Sequence, residues 1–124
     1  MTQPLALILY ERLLPGSQLV NRLQDLNYRV QTITDPGKLV ESAEQFKPLL
    51  VLADLGSPGN NVCAAIGRLK QNLATSHLPI IAFGADNLAE VQAAALAAGA
   101  TLVVGETAAL NHLREFLDQA LQLE

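Results

Sequence analysis

The sequence predicts an α/β domain built on a parallel five-stranded sheet of order 2-1-3-4-5, with helices covering both faces. Five short apolar runs alternate with five segments of helical hydrophobic period along the 124 residues. Several runs are apolar throughout, which is typical of strands buried on both faces of a parallel sheet. No linker or charge run interrupts the alternation, so we expect a single domain over residues 1–124.

The strands are predicted from apolar runs that end at turn residues. Residues 49–54 and 79–83 are almost wholly apolar, as expected of central strands. Residues 28–33 instead alternate apolar and polar side chains, which favours a strand nearer the sheet edge. The predicted strands are residues 5–9, 28–33, 49–54, 79–83 and 100–104.

The helices are predicted from apolar side chains at helical spacing and from their end signals. The segment Pro15-Gly16-Ser17 precedes the first helix, and Asp35 followed by Pro36 is a good start for the second. Gly99 closes the fourth helix in the usual C-terminal position. The expected apolar faces are Leu19, Val20, Leu23 and Leu26; Leu39, Val40, Ala43 and Phe46; Val62, Ala65, Ile66, Leu69 and Leu73; Leu88, Val91, Ala95 and Ala98; and Leu110, Leu113, Leu117 and Leu121.

Composition and charge exclude several classes of function. The net charge is −4 and the eight basic residues are scattered, so we expect no nucleic-acid partner. No apolar stretch approaches the roughly 18 residues of a membrane span, so we expect no membrane partner. The lone Cys63 excludes an internal disulfide and fits a reducing compartment. With no secretory signal at the N-terminus, the expected location is the cytoplasm.

Asp54 is the main candidate for chemistry, because it ends the strand 49–54 and turn residues follow it. In the order 2-1-3-4-5 the first and third strands are neighbours, and their carboxyl ends flank the point where open α/β sheets bind ligands. Glu11 follows the first strand and should lie near Asp54. Two carboxylates with a loop carbonyl can hold Mg²⁺, and a metal-bound carboxylate can attack a phosphoryl group. Glu11 and Asp54 are therefore the candidate metal ligands.

These residues resemble the receiver domain of two-component response regulators, which has a flavodoxin-like fold. The resemblance covers essentially the whole chain, including Pro58 four residues beyond Asp54, the strand 79–82 and the turn 98–100. It implies a cytoplasmic module of phosphorelay signal transduction, with Asp54 as the phosphoacceptor and Mg²⁺ as the cofactor. It also implies a signalling partner, either a histidine kinase or an output protein.

The chain departs from the receiver pattern at most of the chemical positions. The acidic pair that receivers use for Mg²⁺ is matched by Tyr10 and Glu11, so at most one of the two carboxylates is present. The hydroxyl position falls on Gly84, and the lysine position falls on Val104 or Gly105. Charge-assisted hydrogen bonds of the missing kind contribute about 1.5–3 kcal/mol each. We therefore expect a degenerate receiver.

Three functional hypotheses follow. The favoured one is a stand-alone pseudo-receiver that is not an enzyme, acts through protein–protein interaction and undergoes little or no phosphorylation. The alternative is a phosphorylatable receiver that accepts phosphate on Asp54 with Mg²⁺. A third hypothesis, a flavodoxin-like binder of a small ligand at the same edge, has no motif to support it.

The alanine-rich segment 92–98 is the candidate interaction surface. Small side chains leave a smooth helix on which another helix or subunit can pack closely, and Ala93 and Ala97 are the positions of interest. In receivers the fourth helix, the fifth strand and the fifth helix form the usual output and dimer surface, so the resemblance implies a possible homodimer. The alternative interpretation is that alanine is simply the best helix former.

Overall fold

The computed structural model describes residues 4–10, 13–55, 61–84 and 89–122. The strands among these residues are β1 (Leu5–Leu9), β2 (Arg29–Ile33), β3 (Leu50–Asp54), β4 (Ile80–Phe83) and β5 (Leu102–Val104). The helices are α1 (Leu13–Asp25), α2 (Leu39–Phe46), α3 (Asn61–Gln71), α4 (Ala89–Ala98), α5 (Glu106–Asn111) and α6 (Leu113–Gln122). A single 3₁₀ turn, Pro36–Lys38, leads into α2.

The five strands form one parallel sheet of order β2-β1-β3-β4-β5, which confirms the predicted order. Every residue of the central strand β3 is buried, whereas Arg29 and Thr32 of β2 are exposed. The apolar run of β3 and the alternation in β2 therefore distinguished a central strand from an edge strand.

Two apolar clusters lie on opposite faces of the sheet. Odd-numbered residues of β1 and β3, such as Leu7 and Val51, pack with α2, α3 and α4 on one face. Even-numbered residues of the same strands, such as Ile8 and Leu52, pack with α1, α5 and α6 on the other. This is the three-layer arrangement that the sequence predicts, and it places the carboxyl ends of all five strands along one edge.

Two helix ends match their sequence signals. Asp35 accepts a hydrogen bond from the Gly37 amide at 2.9 Å, so it caps the 3₁₀ turn that begins at Pro36. Gly99 follows α4 with a φ of +121°, a conformation in which a residue without Cβ is preferred. A Cβ added at Gly99 would lie 2.5 Å from Cγ of Lys70, so the close approach of α3 also requires glycine there.

The first and last helices differ from their predicted limits. Helix α1 begins at Leu13, so the segment 15–17 lies inside its first turns rather than before it. Proline is tolerated in the first turn because the amide it lacks would have no helical partner there. The predicted final helix is divided into α5 and α6 at His112, whose φ of −126° and ψ of 27° are not helical. The His112 amide still bonds the Ala108 carbonyl at 2.8 Å.

Two residues placed on buried helix faces by their spacing are exposed. Leu73 is 93% exposed and Phe46 is 36% exposed, so both predictions are wrong. Helix α3 ends at Gln71 because Asn72 forms a local turn, in which its Oδ1 accepts from the Ala74 amide at 2.9 Å. Asparagine side chains compete in this way with helical hydrogen bonds. Within the described residues, no helix is both long enough and apolar enough to cross a membrane.

Candidate functional site

Asp54 is the last residue of β3 and its side chain is fully buried, with 0% of its surface exposed. Its partner in the sheet register is Phe83, the last residue of β4. The Leu55 amide donates to the Phe83 carbonyl at 2.8 Å, which holds the two strand ends together. Asp54 has an interaction partner within the molecule. Asp54 therefore lies at the carboxyl edge of the sheet, as the sequence predicts, but beneath the surface.

Aromatic side chains lie on both sides of Asp54. Paired residues of parallel strands project from the same face of the sheet, so Phe83 is beside Asp54 on β4. The pairing of Leu9 with Ala53 places Tyr10 level with Asp54 on the other side, and the Tyr10 amide bonds the Ile33 carbonyl at 3.0 Å. Tyr10 and Phe83 both belong to the apolar cluster under α1, α5 and α6. The surroundings of Asp54 are therefore apolar on two sides.

Tyr10 is expected at this edge from the sequence, whereas Phe83 is not among the expected site residues. The sequence places Phe83 at this edge as well, because neighbouring parallel strands in the order 2-1-3-4-5 end at the same edge of the sheet, but it does not fix which residues lie opposite each other.

Gly84 occupies the position where the receiver pattern has a hydroxyl residue. It directly follows β4, is buried, and has a φ of +88°. Residues with a Cβ rarely adopt this conformation, because the Cβ then crowds the backbone carbonyl. The backbone at this position is therefore suited to glycine, and a serine or threonine would be strained here.

The end of β5 holds no cation at the positions matched to the receiver lysine. Val104 packs into the apolar cluster under α1, α5 and α6, and Gly105 is the N-cap of α5. Gly105 has a φ of −71° and a ψ of 160°, and its carbonyl accepts from the Ala109 amide at 2.8 Å. Any residue can adopt this extended backbone. Position 105 would therefore tolerate a substitution by a larger residue, whereas position 84 would not.

The proposed metal pair is only half within the described residues. Glu11 lies outside them, as does most of the loop after Asp54, so the pairing of Glu11 with Asp54 stays a prediction. No group of three or more His, Cys, Asp or Glu residues among those described could hold a metal ion. Mg²⁺ requires an octahedral shell of oxygens and usually keeps several waters. One buried carboxylate between two aromatic side chains does not fit that requirement by itself.

Cys63, near the start of α3, is the remaining nucleophilic side chain that the sequence singled out. It is half-buried, and its Sγ lies 4.0 Å from the Val91 carbonyl oxygen of α4. Burial raises the pKa of the Cys63 thiol above its ordinary value of 9.0. A raised pKa lowers the thiolate fraction at neutral pH, so the thiol is a packing group between α3 and α4.

The alanine-rich helix α4 is only partly covered. Ala95 is fully buried against the sheet, whereas Ala93 and Ala97 are both exposed. Leu96 lies on the same outward side and is 54% exposed. The helix therefore presents an apolar outer surface, which we call the α4 surface (Ala93, Leu96 and Ala97).

Comparison with known proteins gives matches among solved structures alone, since no protein-family model and no curated protein sequence matches the chain. A protein described as a response regulator from Chloroflexus aurantiacus J-10-fl matches with a TM-score of 0.88 at 19% identity, over 98% of this chain and 99% of that chain. The receiver domain of the sensor histidine kinase PA1611 from Pseudomonas aeruginosa PAO1 matches with a TM-score of 0.86 at 21% identity, over 98% and 99%. The chemotaxis response regulator CheY4 of Vibrio cholerae matches with a TM-score of 0.84 at 18% identity, over 97% and 100%.

At these identities the likeness shows the fold. The chain has the flavodoxin-like fold of response-regulator receiver domains, and the resemblance drawn from its sequence is confirmed at that level. The PA1611 receiver domain was solved with a magnesium ion coordinated in its active-site cleft.

Proposed function

We propose that this chain is a pseudo-receiver, a signalling module that is not an enzyme and acts through protein–protein interaction with little or no phosphorylation. The observation that carries the proposal is the environment of Asp54. Its carboxylate is fully buried, Tyr10 and Phe83 lie beside it, and Gly84 and Gly105 stand where receivers place a hydroxyl and a lysine.

Phosphorylation of this aspartate is unfavourable on energetic grounds. A phosphoryl group adds a charge of about −1.5 to −2, which must be stabilised by cations and hydrogen-bond donors when it forms in a buried position. Gly84 offers no side-chain donor, and neither Val104 nor Gly105 offers a cation. Each missing charge-assisted hydrogen bond is worth about 1.5–3 kcal/mol. The phosphorylated state is therefore expected to be poorly populated.

The α4 surface is the proposed contact with the partner. It combines two exposed alanines with a half-exposed leucine on a rigid helix anchored by Ala95. Small side chains let a second helix approach closely, and an exposed apolar patch of this kind is typical of interaction sites. The proposed occupant is an output protein of the signalling pathway or a second copy of this chain.

An experiment with a small phosphodonor tests whether Asp54 is phosphorylated. The protein is incubated with acetyl phosphate and Mg²⁺, and its intact mass is measured alongside that of the Asp54→Asn variant. We expect no phosphate adduct on either protein, because positions 84 and 105 offer neither a hydroxyl nor a cation to stabilise it. An adduct on the wild type that disappears in Asp54→Asn would contradict the proposal.

The second candidate function is a receiver that uses Mg²⁺ and accepts on Asp54 a phosphoryl group supplied by a histidine kinase. It is favoured by the position of Asp54 at the carboxyl end of the central strand, in a fold whose PA1611 relative holds magnesium. This candidate requires that Mg²⁺ binding shift the amide resonances of Asp54 and Leu55, and that Glu11→Gln and Asp54→Asn weaken the binding. An Mg²⁺ titration without such shifts would exclude it.

A further inference from the structure

A cavity of about 260 Å³ lies on the side of the sheet away from Asp54, where α2 ends and the chain enters β4. It is lined by Ala43, Glu44, Lys47, Ala74, His77 and Leu78. We propose that this cavity binds a small organic carboxylate with a compact hydrocarbon body. Because it lies at the amino ends of β3 and β4, the proposal stands apart from the signalling role of Asp54.

The floor of the cavity is apolar and continuous with the core. Ala43 is 2% exposed and Leu78 is 4% exposed, and both belong to the apolar cluster under α2, α3 and α4. Ala74 extends the apolar wall toward solvent. The side of a hydrocarbon group that faces Ala43 and Leu78 would be removed from water, whereas the rim of the cavity is exposed.

Two of the three polar side chains at the cavity can donate hydrogen bonds to an anion, and the third is a carboxylate. The acidic one, Glu44, is already engaged, since its Oε2 accepts a hydrogen bond from Nδ2 of Asn72 at 3.0 Å. The side chains of Lys47 and His77 have no hydrogen bond or ion pair to any residue that the structure describes. Both can donate hydrogen bonds, so a carboxylate is the complementary partner for this pair.

The backbone of Lys47 is fixed by the end of α2. It is the C-cap of α2 in the left-handed conformation, with a φ of +50°, and its amide bonds the Ala43 carbonyl at 3.0 Å. Glycine or asparagine is usual at such a position, so a lysine here carries strain of about 1 kcal/mol. Strained residues of this kind are often found where a side chain must be presented to a ligand.

The opposite wall is fixed before any ligand arrives. Nζ of Lys70 donates to the carbonyls of Ser76 at 3.2 Å and Leu78 at 2.7 Å. The buried Thr75 hydroxyl donates to the Leu69 carbonyl at 2.6 Å, which ties the same connection back to α3. Binding therefore requires little ordering of the loop, so the entropic cost of binding is small.

The volume limits the size of the ligand. Pockets for drug-sized molecules measure about 300–1,000 Å³, and a cavity of about 150 Å³ engineered in another protein holds benzene. A ligand of about six to ten non-hydrogen atoms fits between these limits. Benzoate is a suitable probe, and benzamide has the same shape without the charge.

The test is a titration of the full chain with benzoate and with benzamide, followed by amide resonances in two-dimensional NMR spectra. We expect benzoate to shift the amides of residues 43–47 and 74–78, with benzamide binding about three- to tenfold more weakly. Lys47→Met should weaken the binding of benzoate by a similar factor and leave the affinity for benzamide unchanged. Lys38→Met, a matched change at an exposed lysine on the 3₁₀ turn, should alter neither affinity.

Ala74→Phe provides a second variant, since its ring should fill the cavity and abolish the binding of both probes. Equal affinity for benzoate and benzamide, shifts confined to other residues, or no shifts at all would overturn the proposal. Shifts at these amides that follow protein concentration and not benzoate would show that a second copy occupies the cavity, which also overturns it.

Discussion

Gly84 and Asp54 show how a single backbone conformation can limit the chemistry of a site. Asp54 is fully buried at the end of β3, and the residue after its partner Phe83 has a φ of +88°. A side-chain hydroxyl at position 84 would need a Cβ in a conformation that disfavours one. The main-chain conformation at position 84 therefore disfavours serine and threonine, in addition to the sequence having glycine there.

Gly84→Ser tests this constraint. We expect the variant to lose about 1–2 kcal/mol of unfolding free energy, because the added Cβ is strained at a positive φ. Urea denaturation at neutral pH measures the change. The matched control is Gly67→Ser inside α3, where a Cβ would have no neighbour within 4 Å. Serine is a better helix former than glycine, so the control should be neutral or slightly stabilised. Equal stability of the two variants would refute the strain.

At the scale of the element, α4 is unusual in being apolar on its outer side as well as its inner side. Its inner contact is made by Ala95, and Cys63 of α3 reaches the Val91 carbonyl on the same helix. Its outward residues Ala93, Leu96 and Ala97 meet solvent in the isolated chain. A helix with so little polar surface is expected to be covered by another molecule in the functional complex.

A charged residue on the α4 surface should therefore prevent assembly without unfolding the chain. Ala93→Glu or Ala97→Glu is expected to weaken self-association, or binding to the partner, at least tenfold, because an unpaired carboxylate would be buried in the contact. Sedimentation equilibrium across a range of concentrations measures the self-association. Ala64→Glu, at an exposed alanine of α3, is the matched control. A wild type that remains monomeric at high concentration would exclude the homodimer.

At the scale of the whole molecule, two apolar layers hold one sheet, and each layer includes a titratable group that is more stable uncharged. Burial raises the pKa of the Cys63 thiol on one face. On the other face, burial raises the pKa of the Tyr28 hydroxyl, with a smaller contribution from the nearby Asp118 carboxylate. In both cases the folded state holds the proton more tightly than the unfolded state does.

The free energy of unfolding should consequently fall at alkaline pH. Below about pH 7.5 both groups are almost fully protonated in the folded and unfolded states, so their contribution is constant. Above that pH the unfolded state loses protons that the folded state retains, and stability decreases as pH rises through the folded pKa values. Urea denaturation at about pH 7 and about pH 10.5 measures the loss. The double variant Cys63→Ala with Tyr28→Phe should lose less; an unchanged loss would contradict this assignment.

Periodicity and turn residues were sufficient to predict the sheet order and the two covering layers. They succeeded because β3 is apolar throughout and because parallel strands need long crossovers. They failed where local hydrogen bonds compete with helical spacing, as at Asn72, which ends α3 and leaves Leu73 exposed. The break at His112 has no comparable signal, since no proline or glycine marks it.

The sequence predicted where the candidate site lies, but only part of its burial, register and backbone geometry. The location of Asp54 follows from strand order alone. Its complete burial and its pairing with Phe83 depend on register, which sequence spacing fixes only to within a residue or two. The positive φ of Gly84 is a property of the folded backbone, and a glycine in the sequence does not by itself reveal it.

The extended backbone of Gly105 determines which residues position 105 can accept. Position 105 has a φ of −71° and a ψ of 160°, so a lysine can enter there without reshaping the main chain. Serine or threonine at position 84 would instead require a change in the backbone conformation at the end of β4, where φ is positive. Introducing the receiver residues in the order lysine first therefore passes through a well-folded intermediate, whereas starting at position 84 passes through a weakened one. The two positions thus differ in how easily they accept the residues of the receiver pattern.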